Sequence, residues 1–387
     1  MDSKSKIYNG TEFEIDNLKF HSELGGVSSF QIKSYPKPYD VMWDYNTDPI
    51  KLLNDILAEN PNSALLIDRN VFNIYRNKII FPEERTYIAE AKEEFKTING
   101  VLELIGHLER LEFTKSDKLV VLGGGVIQDV AAFVGACFKR GIPWIFFPTT
   151  LLSMCDSCIG AKTGINHNNI KNQLALFSAP NKIVINTIFL QTLEEIEIYS
   201  GLGEVIKFHI TAGKHALDVY SSIIKEGKIS SLKSIEPLIL NSLKIKKSII
   251  EVDEYELNYR RSLNYGHTVG HALEILSDYQ ITHGMAIIIG MLVANEISRM
   301  KGFLSEDTNK FINKILTELF NNNNMAKLKI ESINKLRSLL KKDKKTLGQK
   351  ATFAVITNFG EMKFLPIDLN DEIIDHIPKI IKNNFNV

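Results

Sequence analysis

Cysteine is scarce in this chain of 387 residues: Cys137, Cys155 and Cys158 are all there is. Three thiols cannot build a disulfide framework, and they fit a reducing compartment. Cys155-Asp156-Ser157-Cys158 has the C-x-x-C spacing, but no second such pair exists to complete a four-cysteine zinc site, so the thiols read as structural. Net charge is lacking too. Lysine plus arginine equal aspartate plus glutamate, 46 each, so no global field favours nucleic acid. No apolar run approaches the roughly 20 residues of a bilayer span, and Met1-Asp2-Ser3-Lys4-Ser5-Lys6 leads into no signal-peptide core. A cytoplasmic protein without membrane or nucleic-acid partners is expected. Also missing are the G-x-G-x-x-G fingerprint, the P-loop, the glutamate of H-E-x-x-H and any internal repeat, and the third of these absences argues against peptidase chemistry.

What is present is a hydrophobic content of 44% and a length that suits two domains. Ser63–Asp68, Leu119–Leu122, Trp144–Phe147 and Lys182–Ile185 read as strands. They alternate with helical patterns at Val71–Arg76, Lys92–Leu111 and Val126–Phe138. Such alternation implies βαβ units and a largely parallel sheet. After about Leu190 the pattern becomes helical, at Glu194–Ala212, Ile235–Val252, Thr268–Ser277, Met285–Met300 and Thr308–Phe320, with a strand returning at Ala351–Ile356. The expected fold is α/β: a Rossmann-like parallel-sheet domain over residues 1–190, then a mainly α-helical domain over 191–387. The lead-in to about Tyr39 reads as edge strands or an irregular approach to the first domain.

Gly123-Gly124-Gly125 follows an apolar strand and precedes a helix, so its backbone can approach a pyrophosphate at the helix N-terminus. Asp129, one turn further on, can hydrogen-bond a nicotinamide amide or a ribose, and Asp68, Glu93 and Lys96 suit adenosine hydroxyls. Glu204, the histidines of Gly266-His267-Thr268-Val269-Gly270-His271, and His283 come from three separated segments, which is how a folded enzyme holds a divalent metal. His267 and His271 are four apart and share a helix face, so the spacing allows either or both as ligands. The run from Asp156 through Lys162 to Asn172 packs small residues, cations and amides closely enough for an oxyanion-binding loop. Arg140, Lys207, Lys246, Arg260, Lys344 and Lys345 add positive charge, and together these describe a site for a polyanionic small molecule.

These motifs, in this order, resemble 3-dehydroquinate synthase and the wider sugar phosphate cyclases, themselves related to iron-containing alcohol dehydrogenases. The resemblance rests on Gly123–Asp129, Pro148–Leu152, Lys162–Asn166, Lys171-Asn172, Ser200–Lys207, Leu263–His271, His283-Gly284 and Asp343–Lys345. It implies zinc, or cobalt in its place, on Glu204, His267 and His283, with His271 turned toward substrate. It implies NAD held by Asp68, Glu93, Lys96, Gly123, Gly124, Gly125, Asp129, Thr149 and Thr150. Lys162, Lys207, Lys246, Arg260, Asn264 and His271 would act on a heptulosonate 7-phosphate, with Asp156, Asn172 and one of Lys344 or Lys345 also binding it. The residue matching Arg140 enters a neighbouring subunit's site in the family, implying a homodimer. The implied reaction is transient oxidation, phosphate elimination, re-reduction and intramolecular aldol closure. Retention of Lys246 and Arg260, suited to a substrate carboxylate, favours dehydroquinate formation over cyclisation of sedoheptulose 7-phosphate or glucose 6-phosphate. The same fold would also suit a metal-dependent polyol dehydrogenase or a non-catalytic ligand-binding relative. Departures from the family pattern are Gln128 for glycine, Gly203 for alanine, Leu174–Phe177, and Met285 for glutamate.

Overall fold

The computed structural model describes residues 10–25, 29–44, 46–168, 170–321, 333–342 and 346–384; Lys344 and Lys345 lie outside them. The chain forms a central unit, Val27–Leu193, and a discontinuous unit made of the segment to Gly26 together with Glu194 onward. This corrects the expected division at one place. Phe30–Ile32 of the lead-in is an edge strand of the central unit, as expected, but the segment to Gly26 belongs to the other unit. Its hairpin, β1 (Thr11–Ile15) and β2 (Leu18–Ser22), turns through Asp16 and Asn17 at φ of 48° and 67°, the conformation a two-residue type I′ turn needs and one that Asp and Asn tolerate. Strand β1 pairs in parallel with Glu361–Asp368, Glu14 lying opposite Glu361. Local patterning carries no trace of a partner so distant in sequence.

The central unit is a seven-stranded sheet. Its strands are β3 (Phe30–Ile32), β4 (Tyr39–Trp43), β5 (Ala64–Asp68), β6 (Thr86–Ala89), β7 (Leu119–Gly123), β8 (Trp144–Pro148) and β11 (Lys182–Ile185), and a separate hairpin is formed by β9 (Lys162–His167) and β10 (Ile170–Phe177). The order is β3-β4-β11-β8-β7-β5-β6, parallel except for β3. Strands β5, β7 and β8 are buried at every position, as a parallel sheet covered on both faces requires. Helices α1 (Pro49–Glu59), α2 (Arg69–Tyr75), α3 (Ile98–Arg110) and α4 (Gly125–Cys137) supply the crossovers. The chain runs from β5 out to β6 and returns to β7 on the other side of β5. That reversal is the switch point at which open α/β sheets bind ligands outside the carboxyl ends of their strands.

Two expected elements are different in the structure. The helix expected over Lys92–Leu111 starts only at Ile98, because Thr97 caps it, accepting from Gly100 N, while Glu93–Lys96 is a turn. The expected loop after Lys162 is the β9–β10 hairpin, with a bulge between Ile170 and Leu174.

The discontinuous unit carries α5 (Glu195–Thr211), α6 (Lys214–Ile223), α7 (Glu236–Ile250), α8 (His267–Leu276), α9 (His283–Met300), α10 (Glu306–Asn321) and α11 (Ile333–Lys342). Strands β12 (Thr346–Leu347), β13 (Lys350–Asn358) and β14 (Glu361–Asp368) follow, then short helices α12 (Glu372–Asp375) and α13 (Ile377–Asn384). Strand β14 is the partner of β1, giving a second sheet in the order β12-β13-β14-β1-β2. Helix α9 is buried on all sides from Gly284 to Asn295, as a helix apolar all round must be, and it packs against α5, α8, α10 and β13. Its close approach to α5 rests on a pair of glycines: a Cβ on Gly203 would lie 2.3 Å from Gly284 O, and one on Gly284 would lie 1.7 Å from Ser200 O. Among the described residues no helix is long and apolar enough to cross a membrane.

Candidate active site

Each of those two glycines adjoins a residue expected to bind metal. Glu204 follows Gly203 in α5 and His283 precedes Gly284 as the first residue of α9. His267 opens α8 after Gly266, whose φ of 81° suits glycine. The three side chains converge, with donor atoms all within 4.8 Å of one another. Nε2 of His283 lies 3.2 Å from Glu204 Oε1, and Nε2 of His267 lies 3.5 Å from the same oxygen. The other nitrogens are held from behind: His267 Nδ1 is 3.2 Å from Tyr265 O, and His283 Nδ1 is 3.2 Å from Glu274 Oε2. A proton on each Nδ1 leaves both Nε2 lone pairs facing the carboxylate. Two imidazoles and one carboxylate disposed in this way fit a divalent ion such as zinc and leave a further position for a substrate oxygen. Burial by itself would lower the His283 pKa, but the carboxylates of Glu274 and Glu204 outweigh it and push it up to about 10.

His271 joins this group, its ring 5.2 Å from that of His267 and 5.8 Å from that of His283. Lys207 ion-pairs with Glu204 and lies over the Phe208 ring, 4.6 Å from its centroid. Lys246 on α7 and Arg260 in the turn Tyr259–Asn264 are buried as well, and both elements pack on α5. Asp253 shapes the loop that carries Arg260. It accepts from Leu257 N, Asn258 N and Arg260 N at 2.8–2.9 Å. Although burial raises its pKa, these donors win and lower it. Asn264 donates to Glu256 Oε1 at 2.6 Å. Glu274 is a residue the sequence reading missed. Its signal was its place at i+7 from His267 and i+3 from His271 on one helix face.

In the central unit the carboxyl ends of β5, β7 and β8 stand side by side, with Ile67 beside Leu122 and Gly123 beside Pro148. This places Asp68, the glycine turn and Thr149-Thr150 along one edge. Asp68 caps α2 through Asn70 N at 2.7 Å, and burial raises its pKa despite that bond. A Cβ on Gly125 would meet nothing within 4 Å, so the N-terminus of α4 is open to a ligand. Lys96 Nζ is 2.6 Å from Asp129 Oδ2; burial raises the Asp129 pKa and Lys96 opposes the rise. Glu93 accepts from Asn166 Nδ2 at 2.6 Å, tying its turn to the β9–β10 hairpin. Asp156 is half-buried in the single π-turn Ser153–Ser157. Lys162 and Asn172 lie on the hairpin and are exposed, Asn172 at a φ of 52°. Arg140, also exposed, has a φ of 63° and is drawn into neither cluster. Gln128 has a defined role: its Nε2 donates to Ser157 O and its Oε1 accepts from Ser157 Oγ, both at 2.7 Å. That fastens the turn bearing Asp156 to α4.

A family model described as 3-dehydroquinate synthase N-terminal matches residues 86–200, and one described as 3-dehydroquinate synthase C-terminal matches residues 201–346. The 3-dehydroquinate synthase of Streptococcus equi subsp. equi (strain 4047) is 32% identical over 350 residues, 89% of this chain and 95% of that protein. Two solved structures share the fold. A 2-deoxy-scyllo-inosose synthase complexed with carbaglucose-6-phosphate, NAD+ and Co2+ has a TM-score of 0.77 at 20% identity, covering 91% of this chain and 99% of its own. The 2-epi-5-epi-valiolone synthase of Streptomyces hygroscopicus subsp. jinggangensis 5008, with NAD+ and Zn2+ bound, has a TM-score of 0.77 at 21% identity, covering 93% and 100%. With two adjoining family models spanning most of its length and a relative of that identity aligned nearly end to end, the chain belongs to the 3-dehydroquinate synthase family.

Proposed function

We propose that the protein is a 3-dehydroquinate synthase that converts 3-deoxy-arabino-heptulosonate 7-phosphate through transient oxidation, phosphate elimination, re-reduction and aldol closure. The observation that carries this reading is the convergence of Glu204, His267 and His283 within 4.8 Å, in a unit that also buries Lys207, Lys246 and Arg260. A divalent metal supplies Lewis-acid polarisation of a substrate hydroxyl, and NAD supplies a reversible hydride acceptor. The chain's own residues do the remainder. Glu204 and the two Nε2 atoms fix the cation. Buried lysine and arginine neutralise phosphate and carboxylate, Arg260 with the planar fork that matches a carboxylate. His271 stands within reach to take or return a proton at an imidazole nitrogen. Asp68, Glu93, the Lys96–Asp129 pair, the open N-terminus of α4 and Thr149-Thr150 bind the dinucleotide, while Asp156, Lys162 and Asn172 contribute to the substrate.

Zinc is the ion this reading assigns, cobalt being a workable replacement. Cytoplasmic placement and a homodimer in which Arg140 serves the neighbouring site complete the proposal; the exposed, positive-φ setting of Arg140 supports that reach. The test is phosphate release by purified protein with NAD and zinc, offering 3-deoxy-arabino-heptulosonate 7-phosphate, sedoheptulose 7-phosphate and glucose 6-phosphate separately. Turnover of the first alone, with no net NADH, is expected. Release only from another sugar would move the substrate within the same chemistry. NADH accumulation without phosphate release would replace the reading with a dehydrogenase.

A further inference from the structure

We propose that Glu274 is a positioning residue that orients the His283 imidazole for metal binding. The inference rests on the metal reading of Glu204, His267 and His283. Glu274 lies on α8, two turns beyond His267, and is only 7% exposed. A carboxylate is kept this far from water only when it is paired, and its Oε2 is 3.2 Å from His283 Nδ1. The opposite nitrogen, Nε2, is 3.2 Å from Glu204 Oε1. His283 is thus bracketed by two buried carboxylates carried on different helices.

The two carboxylates are not equivalent. Glu204 Oε1 also faces His267 Nε2 at 3.5 Å, so it sits where the Nε2 atoms meet. Glu274 sits behind the ring. From there it accepts the Nδ1 proton, fixes the tautomer and the plane of the imidazole, and makes Nε2 a stronger donor to a cation. His267 receives the same service from a backbone carbonyl, Tyr265 O, which no side-chain substitution removes. The His283 arrangement is therefore the one that mutation can probe. A competing arrangement is also defined by the geometry: His271, Glu274 and His283 offer donor atoms within 4.8 Å of one another, so Glu274 could instead bind a second ion. That would require His283 to give both nitrogens to metal, and stoichiometry separates the two cases.

The experiment is titration of the metal-stripped full-length chain with Co2+, followed by visible absorption, for the wild type, Glu274→Gln, Glu274→Leu and Glu204→Gln. One ion per wild-type chain is expected. Glu274→Leu should weaken binding about 10- to 100-fold and alter the cobalt bands, and Glu274→Gln, which keeps an acceptor for Nδ1, should fall between it and the wild type. Wild-type affinity and bands in both Glu274 variants, with weakened binding in Glu204→Gln, would overturn the proposal and leave the metal reading intact. Two ions per wild-type chain, one of them lost in both variants, would overturn it in favour of a ligand role. Failure of the wild type to bind, or of Glu204→Gln to differ from it, would overturn the metal reading itself.

Discussion

Substituting Gly203 by alanine, the residue the family resemblance implies at this place, should do harm in this chain. The new Cβ would lie 2.3 Å from Gly284 O and 2.7 Å from its Cα, where ordinary contact begins at 3.4 Å. The obstacle is backbone, so no rotamer change relieves it, and α5 must move from α9 by about 1 Å, an overpacking that costs about 1–3 kcal/mol. In a unit of this size each kcal/mol lowers the melting temperature by about 2–4 °C. The displacement falls directly on the site, because Glu204 and His283 adjoin the two glycines and metal–ligand distances tolerate only about 0.2 Å. Zinc at a hundred times its Kd adds about 2.7 kcal/mol to the wild type, whereas a hundredfold weaker site would gain only about 0.4 kcal/mol. Thermal melts of both proteins with and without zinc check each part. A Gly203→Ala protein with an unchanged metal-free melting temperature and the full zinc increment would refute the reasoning.

Three further outcomes are expected. Lys96→Met leaves the part-buried Asp129 carboxylate without its cation and should cost about 1–3 kcal/mol while weakening NAD binding; thermal melts and fluorescence titration with NADH read both, and Asp129→Leu added to it should recover part of the stability. Burial pushes the His209 pKa down to about 4, against the pull of its bond to Val205 O. The stability it permits is therefore complete above an unfolded value of about 6.5 and falls away as pH drops toward 4, by up to about 3 kcal/mol; His209→Leu should flatten that part of the melting temperature against pH profile. Gln128→Ala removes both bonds to Ser157 and should cost about 1–3 kcal/mol, raising the substrate KM more than it lowers kcat in steady-state assays.

What could be read in advance was what short-range chemistry encodes. Strands β5, β7 and β8 are continuous apolar runs, and their flanking turns located Asp68, the triple glycine and Thr149-Thr150. Glu204, His267 and His283 stood out through their glycine neighbours, which the structure explains as the points where helix backbones touch. Glu274 was hidden because a glutamate in an amphipathic helix looks like solvated surface until His283 is brought to it from outside the helix. The hairpin of Lys162–Phe177 was masked by its polar composition, which resembles that of a loop. Gln128 gave no local sign of its purpose, since its partner Ser157 lies 29 residues away.

The parallel pairing of β1 with β14 also has a consequence for biosynthesis. The ribosome releases Glu14 about 350 residues before its partner Glu361, a delay of roughly 20–70 s at common elongation rates. Throughout that interval the nascent hairpin has one edge uncovered, which makes it a natural substrate for a holding chaperone. The central unit, encoded entirely within the gap, can finish folding first, so the unit that carries Glu204, His267 and His283 is the later of the two to be completed.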